Sequence, residues 1–298
     1  MKNIKNLEGV GTALVTPFKA NGEIDEEALA RLVNFQISER IDFLVPCGTT
    51  GESVTLTMEE HLRVVELVVQ HAQGRVPVIA GAGGYNTAHV IELAKRIEPL
   101  GVDGLLSVTP YYNKPTQEGL FQHYRALAES VKLPIILYNV PGRTSTNLLP
   151  DTVVRLSAIE NIIGIKEACG DINQIIELSM KISTEFKLFS GDDALILPMI
   201  ALGGVGVISV LANQVPLRMV EITHLCFERK YEEARYLQRG IYKLMKLNFV
   251  ETNPIPVKAG LAMMGLIEES YRLPLVPMSA ENRRKLRSAM VELGLVKA

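Results

Sequence analysis

The chain has 298 residues, 47% of them hydrophobic and 21% charged, with a net charge of -2. That balance belongs to a globular protein and excludes a disordered or fibrous one. It also leaves no basic footprint for nucleic acid or anionic lipid, and no apolar run approaches the ~20 residues that span a bilayer, so small molecules are the expected partners.

The first apolar run of strand length is Gly11 to Phe18, closing on Thr16-Pro17-Phe18, which is no phosphate loop. Asp25 then opens a helix with Leu29, Leu32, Val33 and Ile37 on one side. The second run, Phe43 to Cys47, leads into Gly48-Thr49-Thr50-Gly51-Glu52-Ser53, and Thr57-Met58-Glu59-Glu60 after it is a capping box. Pro77 to Ala82 follows, then Gly81-Ala82-Gly83-Gly84, whose spacing fits close backbone packing better than a dinucleotide turn. Val90, Leu93, Ala94 and Ile97 give the next helix its buried stripe. Strand-like runs recur at Gly104 to Val108, Pro134 to Asn139, Ile162 to Glu167, Lys187 to Gly191 and Gly206 to Leu211.

Eight strand-plus-helix units without a dinucleotide turn predict a closed (β/α)8 TIM barrel rather than an open doubly wound sheet. The alternation then stops. Ala234, Leu237, Ile241, Leu244 and Met245 form one helical stripe, and Ser279 caps a last helix ending near Gly294. The expected division is a catalytic barrel over 1–229 and a C-terminal α-helical module over 230–298.

In such barrels the site is built where strands end and their loops begin. Lys166 closes the apolar run Ile162-Ile163-Gly164-Ile165. A buried ammonium is costly unless paired or neutralised, so Lys166 reads either as one half of an ion pair or as an amine able to form a Schiff base with a carbonyl. At the same rim the second strand supplies the hydroxyls of Thr49 and Thr50, the fourth supplies Tyr111-Tyr112-Asn113, and the fifth supplies Tyr138 and, past a Pro-Gly turn, Arg143. An arginine fixed by such a turn suits a carboxylate clamp, or is a solvated loop residue.

Other residues carry less. His61, His71, His89, His123 and His224 fall in helical segments, so neither a metal site nor a histidine-activated nucleophile is expected. Asp192 and Asp193 read as caps of a helix over 194–202, and Cys47, with no histidine near it, as strand filler. Three cysteines without metal spacing point to a reducing compartment, and Met1-Lys2-Asn3-Ile4-Lys5-Asn6 contains no secretory apolar stretch, so a cytoplasmic location is expected.

The motifs Gly48-Thr49-Thr50-Gly51-Glu52-Ser53, Tyr111-Tyr112-Asn113, Tyr138-Asn139-Val140-Pro141-Gly142-Arg143-Thr144, Ile165-Lys166-Glu167-Ala168, Gly191-Asp192-Asp193 and Gly206-Val207-Ile208-Ser209 span nearly the whole chain. In combination they resemble the dihydrodipicolinate synthase family of pyruvate-dependent Schiff-base aldolases. The Asn-Val-Pro-x-Arg-Thr setting of Arg143 is more typical of that family than of N-acetylneuraminate lyases or 2-keto-3-deoxy sugar acid aldolases, which stand as the alternatives, with a non-catalytic keto-acid-binding barrel as the remote one.

The resemblance implies condensation of pyruvate with L-aspartate 4-semialdehyde to 4-hydroxy-tetrahydrodipicolinate, the first committed step of the diaminopimelate route to lysine. It makes Lys166 the amine that carries a covalent pyruvate imine, with no other cofactor and no metal. It makes Tyr138, Thr49 and Tyr112 a proton relay, with Tyr112 supplied by a neighbouring subunit. Thr50 and Ile208 would hold the pyruvate carboxylate and its surroundings, Arg143 the carboxylate of the semialdehyde, and Gly191 counts among the substrate-binding positions. A homotetramer built as a dimer of dimers, a dimer at minimum, is implied as well. Met58, Tyr85 and His89 stand where lysine-sensitive members offer polar or acidic groups, which implies weak or absent inhibition by lysine; a steady-state titration with lysine measures it.

Overall fold

Strands Gly9–Ala13 (β1), Phe43–Val45 (β2), Ile79–Gly81 (β3), Gly104–Val108 (β4), Ile135–Asn139 (β5), Ile162–Glu167 (β6), Lys187–Ser190 (β7) and Gly206–Ser209 (β8) follow one another in the chain. Each is followed by helix: Glu26–Ser38 (α1), Met58–Ala72 (α2), Thr87–Ile97 (α3), Gln117–Ser130 (α4), Pro141–Thr144 (α5) and Pro150–Ser157 (α6), Ile172–Lys181 (α7), Ile196–Ala201 (α8) and Pro216–Phe227 (α9). The computed structural model describes Ile4 and residues 7–297. The N-terminal reading over 1–6, apart from Ile4, and the outer limits of the two expected segments at 1 and 298 lie outside the described residues.

The eight strands pair in parallel, in the order β2-β1-β8-β7-β6-β5-β4-β3, and a parallel bridge from Leu44 to Val78 joins the two ends into a barrel. The predicted (β/α)8 architecture is the observed one. The first strand differs in its bounds: it begins at Gly9, where the Gly9 N–H donates to Val205 O, and it leaves regular pairing after Ala13. Asp25 and Thr57 cap α1 and α2 as expected, with both halves of the Thr57–Glu60 capping box formed.

Side chains alternate along the strands between two cores. Ala13, Phe43, Val45, Ile79, Leu106, Ile136, Phe189 and Ile208 fill the barrel, while Leu44, Leu105, Ile135, Leu137 and Ile165 face the helices. Phe43 and Phe189 meet edge to face, ring centres 5.6 Å apart, so the barrel is plugged and its chemistry belongs to its mouth. On β6 one extra residue interrupts the register: Ile162 pairs with Ile135 and Gly164 with Ile136. Beyond this bulge Tyr138 lies opposite Lys166, and Lys166 opposite Phe189, all on the inner face. A slip by one residue would exchange Lys166 with its outward neighbours.

After α9, Tyr231–Leu247 (α10), Ile255–Met263 (α11) and Ala280–Glu292 (α12) complete the chain. The 229/230 division falls in the link between α9 and α10. These last helices do not stand off the barrel. Arg272 donates to both carboxylate oxygens of Glu60 on α2, to Thr55 O and to Gly22 O, and Lys258 of α11 is fully buried against Glu52.

Candidate active site

Lys166 rises from the C-terminal half of β6 into the barrel mouth, 4% exposed. No carboxylate lies within ion-pair distance of it among the described residues; its Nζ sits 4.4 Å from the centre of the Tyr138 ring. The ion-pair alternative for this lysine is therefore not realised. Its stem needs room, which Gly191 provides: a methyl group there would come within 3.1 Å of Lys166 Cε and 2.6 Å of Ala168 Cβ. Ile208 stands fully buried on β8 in the same inner cluster as Tyr138.

The turn after β2 carries the two threonines. Gly51 N–H donates to Gly48 O and Glu52 N–H to Thr49 O, and Thr16 Oγ1 fastens the turn through Gly51 O. Thr50 is 2% exposed, and its Oγ1 accepts from Asn253 Nδ2 at 3.0 Å. Glu52, at φ +52°, holds a left-handed conformation that is uncommon without glycine. Its carboxylate receives Lys258 Nζ at 2.5 Å, a pair almost wholly removed from water. Glu52, Asn253 and Lys258 were not among the expected site residues.

A cavity of about 230 Å³ opens between this turn and the ends of β3, β4 and β5. Thr49, Tyr138 and Arg143 line it together, with Tyr111, Val140 and Thr144. Arg143 lies on the single turn α5, and its Nη2 donates to Asn253 O at 3.2 Å. Tyr112 is not brought into the cavity; at φ +70° it projects outward, 92% exposed.

Glu167 follows Lys166 on β6, and Asp192 and Asp193 follow β7. Glu167 turns to the outer face, where Asn139 Nδ2 and the Cys169 N–H donate to it; burial raises its pKa against those bonds. Asp192 caps as expected, accepting from Ala194 N. Asp193 does not. It is buried, its Oδ2 accepts from Leu211 N after β8, its Oδ1 has no partner among the described residues, and burial pushes its pKa to about 6 against bonds from Ser209 and Leu211 and the nearby charge of Lys166. The second acid of the pair thus ties β7 to β8 because its side chain points inward, and the helix after it begins as a 3-10 turn over Asp193–Leu195.

The expectation that no histidine lies near Cys47 is also corrected. His61 reaches back from α2 so that its Nε2 meets Gly81 O at 2.8 Å, and Cys47 Sγ donates to the His61 carbonyl at 3.7 Å. The imidazole is engaged with backbone, burial lowers its pKa and burial raises that of the thiol, so the two form no nucleophile pair. Gly81 does pack closely, since a methyl there would fall 2.1 Å from Cys47 O. No group of three metal-ligating side chains occurs among the described residues.

A buried amine at the mouth of a closed barrel, with a phenol against it and no acid at ion-pair distance among the described residues, is the arrangement that lysine Schiff-base chemistry requires. Comparison with known proteins narrows this. The profile of the Dihydrodipicolinate synthetase family matches residues 6–293. A 4-hydroxy-tetrahydrodipicolinate synthase of Chloroherpeton thalassium is 51% identical over 99% of this chain and 98% of its own. The crystal structure of dihydrodipicolinate synthase from Aquifex aeolicus superposes with a TM-score of 0.96 at 44% identity, covering 98% of this chain and 100% of that one. The chloride-inhibited enzyme from Acinetobacter baumannii, crystallised with pyruvate, gives 0.95 at 45% identity, covering 97% and 99%. The chain belongs to the dihydrodipicolinate synthase family.

Proposed function

We propose that this chain condenses pyruvate with L-aspartate 4-semialdehyde to give 4-hydroxy-tetrahydrodipicolinate, acting in the cytoplasm. The observation that carries the reading is the buried Lys166, with no acid at ion-pair distance among the described residues, against the ring of Tyr138, which in turn lines a cavity together with Arg143. The Lys166 amine adds to C2 of pyruvate, and loss of water leaves an imine. Removal of a proton from the pyruvate methyl then gives an enamine, whose carbon attacks the aldehyde. The amine of the condensed product attacks the imine carbon, closes the ring and releases Lys166.

Each proton in that sequence needs a carrier. The ring of Tyr138 stands against the amine and Thr49 shares the Tyr138 cavity, which supports a hydroxyl relay. Thr50, Ile208 and Gly191 frame the imine side and take the pyruvate carboxylate. Arg143 takes the carboxylate of the second substrate, turning an encounter into an oriented reaction. Tyr112 completes the relay from a second copy of the chain. Exposed apolar side chains support such an assembly: Val54, Tyr85 and Tyr112 around the cavity, and Ile172, Ile176 and Met180 along α7. Two patches on different elements are what a homotetramer made as a dimer of dimers requires.

A coupled assay with pyruvate and L-aspartate 4-semialdehyde tests the substrates. Turnover with the semialdehyde and none with N-acetylneuraminate or 2-keto-3-deoxy sugar acids is expected; the reverse preference contradicts the reading.

A further inference from the structure

Asn253 stands just ahead of α11, outside the strands and loops of the barrel, yet it bonds both the turn after β2 and the cavity-lining Arg143. Its Nδ2 donates to Thr50 Oγ1 at 3.0 Å, and its main-chain carbonyl accepts from Arg143 Nη2 at 3.2 Å. Thr50 and Arg143 are the residues assigned above to the two substrate carboxylates, and the inference rests on that assignment. Asn253 is 4% exposed, and its Oδ1 has no hydrogen-bond partner among the described residues. A bare buried amide oxygen is unfavourable, so other contacts hold the residue in place. The strongest is close by. Lys258, on the first turns of the helix that follows, is locked to Glu52, two residues beyond Thr50.

Hydrogen-bond accounting gives the consequence. A threonine hydroxyl has one proton to donate and lone pairs with which to accept. Because the amide of Asn253 supplies a donor, the Thr50 proton is left free for another acceptor, and a hydroxyl that already accepts is the stronger donor. A carboxylate is that acceptor. We propose that Asn253 is a positioning residue for both carboxylate sites: its side chain directs the Thr50 hydroxyl proton toward pyruvate, and its backbone carbonyl fixes the guanidinium of Arg143.

The two contacts come from different parts of the residue, so substitution separates them. Asn253→Ala removes the amide donor and keeps the carbonyl. For this variant kcat/KM for pyruvate should fall about tenfold, the scale of a lost hydrogen bond to a charged group, while kcat/KM for L-aspartate 4-semialdehyde stays within about twofold. In a Thr50→Val background the same substitution should add no further loss, because it acts through that hydroxyl. A residue that only supports the fold would lower both substrates together and add to Thr50→Val. Asn253→Asp, of equal size, carries the test if the alanine variant does not fold: its carboxylate takes the Thr50 proton, and pyruvate kcat/KM should fall at least as far. Unchanged pyruvate kcat/KM, or equal losses for both substrates, overturns the role of Asn253. Borohydride trapping of pyruvate on the unsubstituted protein keeps the two levels apart, since absence of an adduct there refutes the function itself, whereas an adduct with an indifferent Asn253 refutes only this proposal.

Discussion

Lys166 and Lys258 are both buried, and they meet burial in opposite ways. Lys258 has Glu52 at 2.5 Å and the faces of Phe18 and Tyr271 at 4.4 and 5.3 Å from their ring centres. Lys166 has the Tyr138 ring against it and, among the described residues, no acid at ion-pair distance. Asp193, which feels the charge of Lys166, carries a different signature. Its folded-state pKa of about 6 lies above the ordinary 3.8, so the folded protein holds this proton more tightly than the unfolded chain. The associated stability is complete below about pH 3.8 and is lost as pH rises through 6, a cost of a few kcal/mol above that range. Asp193→Asn should flatten the unfolding free energy between about pH 4 and 6 and raise it at pH 7.5 relative to the unsubstituted chain. Urea unfolding across that range checks it; an unchanged slope contradicts it. At this level Lys166 was legible because a cation ends an apolar strand. Lys258 sends the same signal, a lone cation in Ile255-Pro256-Val257-Lys258-Ala259-Gly260-Leu261, but its partner lies 206 residues away and no local pattern names it.

Two elements set the site. On β6 the bulge at Ile163 re-phases the strand so that Lys166 and Tyr138 face inward side by side. The eight strands were readable from their apolar runs and turn residues, but a bulge inserts one ordinary isoleucine into a run of isoleucines, and nothing in that run marks it. The second element is α11, which the sequence places after the barrel and the structure fastens to the loop bearing Thr49 and Thr50. Removing one member of its buried pair leaves the other charge uncompensated. Lys258→Met should therefore cost about 3–5 kcal/mol in chemical denaturation, and Glu52→Gln added to it should restore a large part. Equal stability of the single variant and the unsubstituted chain would show that the pair does not hold α11 in place.

For the molecule as a whole, the barrel delivers residues from separate strands to one cavity, and Asn253, ahead of α11, ties the turn after β2 to Arg143 at that cavity. Thr49, Tyr138 and Arg143 line that cavity within one chain, with Lys166 against the Tyr138 ring, whereas Tyr112 is 92% exposed and lies outside it. The apolar patches at Val54, Tyr85 and Tyr112 and along α7 lie where such contacts would exclude water. The central claim concerns a single bond, from Lys166 Nζ to C2 of pyruvate. Incubation with pyruvate and borohydride, followed by intact mass and peptide mapping, measures that bond directly. The account predicts one reduced pyruvate adduct per chain, carried by the peptide containing Lys166 and absent from Lys166→Ala; no adduct, or an adduct on another lysine, contradicts it.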